Sequence, residues 1–234
     1  MNSLFRAFLI ALFALGGTHA MAHSMEDVET SLKENERYAQ FVDQPAPPFD
    51  LTDADGNTLS LADLNGKTVV LNFLYTRCTE ACPLHMNLIR QVQTGIEEAG
   101  LSEEVMFITI ATDREDIAGT RDNMRAYGEN FDLNPGNWRF LYRGEGEAPG
   151  LTSELAKSYG VQFSDTGEGV QVHGVVTHVI DPGGQMRARF HGLKFKPEHL
   201  VAYLKAIALG PNAASDDGFW GRLHGRIEEL LQSE

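Results

Sequence analysis

The chain has 234 residues, of which 42% are hydrophobic, and a formal net charge of −14 at pH 7. This surplus of negative charge argues against a nucleic-acid partner and against adsorption to an anionic membrane surface, because both are themselves negatively charged. The length suits a single folded domain with short extensions.

Residues 1–22 have the pattern of an export signal. A short apolar run, Ala7 to Leu15, follows a single basic residue, and Ala20-Met21-Ala22 fits a small-x-small cleavage site. The run is shorter than the roughly 20 apolar residues that a membrane-spanning helix needs. We therefore expect a mature periplasmic protein that begins near His23. The alternative is an uncleaved segment that anchors the protein to the membrane.

Residues 23–44 and 45–209 are predicted to differ in structure. The first segment is predicted to be a helical extension that ends at a cluster of prolines. Residues 49–60 are predicted to form a β-hairpin, after which strands and helices alternate. The predicted strands span 69–74, 105–111, 138–142, 174–180 and 186–190, and the predicted helices span 83–99, about 117–127, 152–159 and 196–209. This order predicts an α/β domain with a central mixed sheet flanked by helices, of the thioredoxin-like type.

Apolar spacing predicts the buried faces of two helices. In the helix after Pro83, apolar residues recur every four positions and are predicted to form the buried face: Leu84, Leu88, Val92 and Ile96. Residues 210–234 are predicted to be a linker and an amphipathic C-terminal helix, whose apolar face carries Phe219, Leu223, Ile227 and Leu230. That helix is predicted to cover its own domain, or alternatively to dock on a partner or a second copy of the chain.

The two cysteines of the chain, Cys78 and Cys82, lie between the first long predicted strand and its helix. Pro83 favours a helix start at this point, so Cys82 is expected near the helix N-terminus, where N–H groups and the helix dipole favour a thiolate. A disulfide that encloses three residues constrains the unfolded chain very little. The pair is therefore predicted to serve redox chemistry or metal binding, with a structural disulfide as the alternative.

Two histidines near the fourth long strand have different predicted roles. His178 lies inside the apolar run and is predicted to be a packed or surface residue rather than a ligand. His173 precedes the run, in a connecting segment, where functional residues concentrate on a rigid scaffold. Side chains alternate along a strand, so the two histidines are predicted to lie on opposite faces.

The motif Cys78-x-x-x-Cys82-Pro83 after an apolar strand resembles that of the SCO/SenC family, copper-binding proteins of cytochrome c oxidase assembly. The segments 138–141 and 158–161 are also similar to those of the family, and the resemblance spans about 45–209. It implies a thioredoxin-like fold with copper held by the two cysteines and a histidine nine residues before the proline of a turn. Counting back from Pro182 gives His173 as that third ligand, and not His178.

The resemblance also implies acidic residues around the ligands. Glu80 stands where the family often has an acidic residue between the cysteines. The family's usual Asp-Pro-Glu segment is replaced here by Ala111-Thr112-Asp113-Arg114-Glu115-Asp116. Of the acidic residues in it, Asp113 is favoured over Asp116 as the counterpart of the family's strand-end aspartate. Thr79 stands where the family usually has proline, which leaves the ligands intact but bears on the redox properties of the pair and on its partner.

The donor chemistry agrees with this resemblance. Two thiolates and one imidazole suit copper and disfavour Mg²⁺ and Ca²⁺, while a closed structural zinc site usually has four protein ligands. His85 and Met86, one turn into the helix, are predicted to be packed or solvent-exposed rather than to assist metal transfer. Three ligands leave the metal accessible, as a copper donor requires.

Two functions of different classes are predicted. The first is a periplasmic copper metallochaperone for the CuA centre, whose partner is the copper-bearing subunit of cytochrome c oxidase or another periplasmic copper protein. The second is an enzyme, a thiol-disulfide oxidoreductase that uses Cys78 and Cys82 as its redox pair. The three-residue spacing and His173 favour the first. A peroxidase, with Cys82 resolving an oxidised Cys78, is a weaker third prediction.

Overall fold

The computed structural model describes residues 25–114, 117–161, 163–165 and 171–210, and an eight-stranded sheet organises them. For residues 163–165 and 171–173 the description covers the backbone. The predicted export signal and almost all of the predicted linker and C-terminal helix lie outside the described residues.

Strands and helices alternate as the sequence predicts. The two strands at each end of the sheet come from the N-terminal part of the chain and from the final hairpin. The strands are β1 Ala39–Pro45, β2 Asp50–Asp53, β3 Thr58–Ser60, β4 Thr68–Leu74, β5 Val105–Ala111, β6 Trp138–Tyr142, β7 Phe163–Asp165, β8 Gln171–His173, β9 Val176–Ile180 and β10 Gln185–His191. The helices are α1 Met25–Asn35, α2 Ala81–Glu98, α3 Ile117–Phe131, α4 Leu151–Ser158 and α5 Pro197–Leu209, with a short 3-10 helix at Ala62–Leu64.

The main sheet is mixed, and its strand order is β1-β10-β9-β4-β5-β6-β2-β3. Strands β4, β5 and β6 are parallel to one another, whereas β9 and β10 are antiparallel to their neighbours. Strands β7 and β8 form a separate two-stranded ribbon. This mixed sheet with its flanking helices confirms the predicted thioredoxin-like α/β fold.

Strand β4 lies at the centre of the sheet, and all seven of its residues are buried. Leu71 and Phe73 belong to a core cluster on one face that also contains Tyr159, the residue after α4. On the other face Asn72 contacts Met86 of α2. Both faces of the strand are covered, which explains why its sequence is a continuous apolar run rather than an alternating one.

The buried face of α2 differs from the predicted one. It follows the stripe that begins at Cys82 and consists of Cys82, His85, Met86, Ile89, Val92, Gln93 and Ile96. Leu84 is 57% exposed, so its assignment to the buried face was wrong. The reason is angular: Leu84 lies two positions after Cys82, about 200° around the helix, so it points away from the side on which Cys82 is buried.

The N-terminal segment is a helix followed by a strand rather than a helix throughout. Strand β1 pairs with β10 at the edge of the sheet, so tertiary pairing supplies hydrogen bonds that the local sequence pattern does not reveal. Helix α1 packs on α5. The buried Glu36, just after α1, accepts hydrogen bonds from the backbone N–H of Lys196 (2.9 Å) and from His199 Nδ1 (3.0 Å). Within the described ranges, no helix is long and apolar enough to cross a membrane.

Candidate metal and thiol site

The two cysteines lie at the edge of the sheet where the parallel strands β4 and β5 end. We call residues 75–80, between β4 and α2, the cysteine loop. Cys78 is in this loop and is partly buried, whereas Cys82 is in the first turn of α2 and is 1% exposed. Both are free thiols, and the N–H of Cys78 donates to the carbonyl of Tyr75 (3.0 Å). The predicted place of Cys82 at the start of the helix is confirmed.

The surroundings of the two thiols shift their pKa values in opposite directions. Burial opposes ionisation of Cys78, but backbone N–H groups of Cys82, Glu80 and Ala81, together with the Cys82 thiol, donate to its sulfur and lower its pKa below the ordinary value. For Cys82, burial is the main cause and raises the pKa to about 12, even though a hydrogen bond with the backbone of Tyr75 lowers it.

The helix N-terminus therefore favours a thiolate at Cys78 and not at Cys82. The sequence predicted the opposite, because Cys82 is the residue within the helix. The difference arises because the N–H groups of the first helical turn point towards the preceding loop, where the sulfur of Cys78 receives them. This arrangement gives a partly exposed thiol with a lowered pKa at Cys78, beside a buried Cys82 thiol that keeps its proton at neutral pH.

Asp113 is the predicted acidic residue whose carboxylate binds the cysteine loop. It follows β5 and is 6% exposed, and its carboxylate accepts hydrogen bonds from the backbone N–H (2.9 Å) and the hydroxyl (2.7 Å) of Thr76. Arg77 Nε lies 3.9 Å from the same carboxylate. Burial nevertheless raises the pKa of Asp113, and a charge on Asp113 in turn raises the pKa of Cys82. Asp116, the other residue considered, lies outside the described residues.

Glu80 lies in the cysteine loop, directly before α2, with an exposed side chain that makes no capping hydrogen bond. Its backbone N–H is one of the donors to the sulfur of Cys78. In the thiol form, Glu80 therefore acts on Cys78 through its main-chain N–H and not through its carboxylate.

The two histidines of the sequence argument lie on different strands. His178 is fully buried in β9, where Nδ1 lies 3.2 Å from the carbonyl oxygen of Leu71 and Nε2 lies 3.1 Å from that of Tyr159. Burial lowers its pKa to about 4. His178 is therefore packed in the core, one of the two predicted alternatives to a ligand.

His173 belongs to strand β8, opposite Phe163 in the two-stranded ribbon. Because residues 174 and 175 separate β8 from β9, the alternation argument that linked His173 to His178 does not apply. The side chain of His173 lies outside the described part of the structure, and its role as a ligand stays a prediction. Among the side chains that are described, no group of three His, Cys, Asp or Glu residues is arranged to hold a metal ion.

His85 and Met86 are packed in the interior, in agreement with one of the two predicted alternatives. His85 is 1% exposed, and its Nε2 lies 2.8 Å from the hydroxyl of Thr177 on β9. The Met86 sulfur is fully buried and accepts a hydrogen bond of 3.7 Å from Asn72 Nδ2. Their contacts tie α2 to the sheet beneath the cysteines.

Helix α3 contributes two residues that the sequence argument missed. Asn123 Nδ2 donates to the hydroxyl of Thr76 (3.1 Å), and the Tyr127 hydroxyl donates to the carbonyl of Cys78 (3.4 Å). They are 47 and 49 residues away from their partners in the chain, so no local motif signals them. A cavity of about 50 Å³ lies beside these contacts, and its lining consists of Arg77, Asp113, Gly119, Thr120 and Asn123.

Comparison with known proteins identifies the family. The family model described as SCO1/SenC matches residues 37–209, almost the whole of the described sheet and its helices. The chain belongs to the SCO1/SenC family. The match begins before β1, so the family's domain includes the edge strand that the sequence argument placed in an N-terminal extension.

Three similar proteins illustrate the range of the family and its neighbours. The SCO1 protein homolog of Bacillus subtilis (strain 168) is 24% identical over 164 residues, 69% of this chain and 81% of the relative. The structure of Bradyrhizobium japonicum ScoI with copper bound is 28% identical with a TM-score of 0.56, and the match covers 70% of this chain and 99% of ScoI. The thiol-disulfide oxidoreductase ResA of Bacillus thuringiensis subsp. konkukian is 28% identical over 71% of this chain and 78% of ResA.

Proposed function

We propose that this protein binds copper with Cys78, Cys82 and His173 and delivers it during assembly of the CuA centre of cytochrome c oxidase. The observation that carries the proposal is the pair of free thiols at the edge of the sheet, one of them partly exposed and surrounded by N–H donors. Membership of the SCO1/SenC family supports it, as does the copper bound in the similar ScoI structure.

The donor set fits copper as a cargo ion. Thiolate sulfur is a soft donor that favours Cu(I), and an imidazole nitrogen suits copper as well. Backbone N–H donors lower the pKa of Cys78 against the opposing effect of burial, while metal binding has to displace the proton of Cys82, whose pKa is raised by burial. Binding therefore releases protons and strengthens as the pH rises. Three protein ligands leave a position from which an acceptor protein can take the ion.

The proposed partner is the copper-bearing subunit of cytochrome c oxidase or another periplasmic copper protein. The proposed location is the periplasm, which follows from the export pattern at residues 1–22 and from the reaction partners. An anchored form, in which that segment is retained, is the alternative. The net charge of −14 supports docking on a basic protein surface and argues against nucleic acid.

The test is a copper titration of the reduced mature protein, monitored by metal content and by absorption. We expect one copper per chain and a thiolate-to-copper charge-transfer band. His173→Ala should remove most of the affinity. His191→Ala is the matched control, because His191 is exposed on β10. This variant should bind copper like the wild type. Equal affinity of the two variants would contradict the proposed ligand set.

A second function, thiol-disulfide oxidoreductase, is favoured by the opposite pKa shifts of the two thiols. The Cys78 thiolate attacks a disulfide of a target protein and forms a mixed disulfide, and one target thiolate leaves and takes up a proton. Cys82 then loses its proton and attacks the Cys78 sulfur, which releases the second target thiol. The target gains two electrons and the protein is left with a Cys78–Cys82 disulfide, which another thiol must reduce.

The two functions are separated by the variant Cys82→Ser. A reductase with this change should accumulate the mixed disulfide between Cys78 and its target, which is detected by mass spectrometry without a reducing agent. Cys78→Ser should form none. Absence of any mixed disulfide with reducible protein substrates, together with stoichiometric copper binding by the wild type, would leave copper delivery as the function.

A further inference from the structure

Helix α3 holds the cysteine loop through two side chains on one of its faces. Asn123 and Tyr127 are four residues apart, so they lie on the same side of the helix, one turn from each other. Asn123 Nδ2 donates to the Thr76 hydroxyl (3.1 Å), and the Tyr127 hydroxyl donates to the Cys78 carbonyl (3.4 Å). The Thr76 hydroxyl in turn donates to Asp113 (2.7 Å), so this side of the loop is joined both to α3 and to the end of β5.

The aromatic ring of Tyr127 is fixed by its neighbours. Tyr127 is 8% exposed, stacks on Phe131 at 5.5 Å between ring centroids, and meets Phe140 of β6 edge-on at 5.9 Å. These contacts leave the hydroxyl directed at the cysteine loop. The ordinary pKa of tyrosine is about 10, so the phenol is protonated and acts as a donor at neutral pH.

We infer that Tyr127 is a positioning residue, whose hydrogen bond to the Cys78 carbonyl stabilises the dithiol form of the cysteine pair relative to its disulfide. The inference rests on the proposed function, because it concerns the same two thiols. It assigns to α3 a role in setting how readily the pair is oxidised, which determines how much of the protein is able to take up copper.

The physical argument follows from the geometry of a disulfide. The hydrogen bond from Tyr127 to the Cys78 carbonyl is observed in the form of the protein in which both cysteines are free thiols. In this proposal, the main chain at Cys78 moves towards Cys82 when the two sulfur atoms come to about 2.05 Å from each other in a disulfide. A carbonyl held by a buried tyrosine resists that shift, and loss of the hydrogen bond in the disulfide form leaves the Cys78 carbonyl and the phenol without it.

The test is the thiol-disulfide equilibrium of the metal-free mature protein with glutathione. In this reaction the protein dithiol and one oxidised glutathione give the Cys78–Cys82 disulfide and two reduced glutathione molecules. Tyr127→Phe keeps the ring packed and removes the donor. Because one neutral hydrogen bond is lost from the dithiol form, we expect the equilibrium constant to shift about threefold towards the disulfide. Acid quenching, alkylation and mass spectrometry measure the two forms.

Tyr142→Phe is the matched control. The Tyr142 hydroxyl accepts hydrogen bonds from Arg121 of α3 (3.2 and 2.6 Å), whereas the Tyr127 hydroxyl donates to the cysteine loop. Each variant loses one tyrosine hydroxyl: Tyr127 is part of α3, and Tyr142 is hydrogen-bonded to α3. Only Tyr127→Phe should change the equilibrium with glutathione. An unchanged equilibrium in Tyr127→Phe, a shift towards the dithiol, or an equal shift in Tyr142→Phe would overturn the inference.

The readout also separates this inference from the proposed function. The equilibrium with glutathione is measured without metal, so a shift in Tyr127→Phe supports the inference even if the wild type fails to bind copper. Conversely, normal copper binding by the wild type together with an unshifted Tyr127→Phe equilibrium leaves the proposed function intact and overturns the role of Tyr127.

Discussion

Two buried carboxylates, Asp113 and Glu36, have different roles in this protein. Asp113 is 6% exposed and accepts two hydrogen bonds from Thr76 of the cysteine loop. Glu36 is 3% exposed and accepts hydrogen bonds from the backbone N–H groups of Tyr38 and Lys196 and from His199. One carboxylate faces a reactive loop, and the other joins α1 to the start of α5.

The difference lies in the elements that supply the donors. The donors around Glu36 come from the ends of two helices and their flanking residues, so Glu36 stabilises the packing of α1 on α5. The donors to Asp113 come from the loop that contains Cys78, and the pKa of Asp113 is raised by burial. Groups with shifted pKa values concentrate at functional sites, and Asp113 is such a group beside the cysteine loop.

The largest effect is expected from removal of a thiol. Cys78→Ala should lower copper affinity by at least ~100-fold, since even partners outside the ligand set account for about tenfold to a hundredfold. Its melting temperature should stay close to that of the wild type, because Cys78 is partly exposed. Copper titration and thermal unfolding measure the two quantities, and a variant that keeps wild-type affinity would remove Cys78 from the site.

Next in size is the effect of Glu36→Gln, which should act on stability alone. The change leaves a neutral acceptor where three donors converge, so we expect the free energy of unfolding to fall by about 1–3 kcal/mol. Urea denaturation of the metal-free protein measures this loss. Copper stoichiometry should be unchanged, and a loss of copper binding in a folded Glu36→Gln variant would break the distinction between the two carboxylates.

A smaller effect of defined sign is expected for Asp113. Because its pKa in the folded state is raised above the unfolded value, Asp113 contributes most to stability at low pH, where it is protonated in both states, and that contribution is lost as the pH rises through the folded pKa. Asp113→Asn removes the titration. The stability of the wild type should therefore decline relative to the variant as the pH rises above about 3.9, the ordinary pKa of an aspartate. Parallel stability curves for the two proteins would contradict the raised pKa.

The smallest effect is expected for Glu80→Gln. The Glu80 side chain is exposed and makes no capping hydrogen bond, and exposed charges contribute little. Copper affinity should change by less than about twofold. A tenfold loss would mean that the carboxylate turns towards the metal when copper binds, and Glu80 would then belong with Asp113 rather than with the solvent-exposed surface.

Local sequence patterns were sufficient for the elements that hold the thiols. The continuous apolar run at residues 69–74 predicts the buried strand β4, and Pro83 predicts the helix start beside Cys82. The same patterns predict that His178 is a packed or surface residue rather than a ligand. These predictions succeed because burial of a strand and initiation of a helix depend on neighbours a few positions apart in the chain.

The tertiary structure decided the chemical character of the site. It makes Cys78 rather than Cys82 the more acidic thiol, turns Leu84 to the surface, and brings Tyr127 of α3 to the carbonyl of Cys78. Each of these outcomes depends on burial and on contacts between residues far apart in the chain or on the orientation of a helix against the sheet. Because packing fixes both burial and orientation, the sequence by itself determined where the two thiols lie, and the tertiary structure determined how each of them ionises.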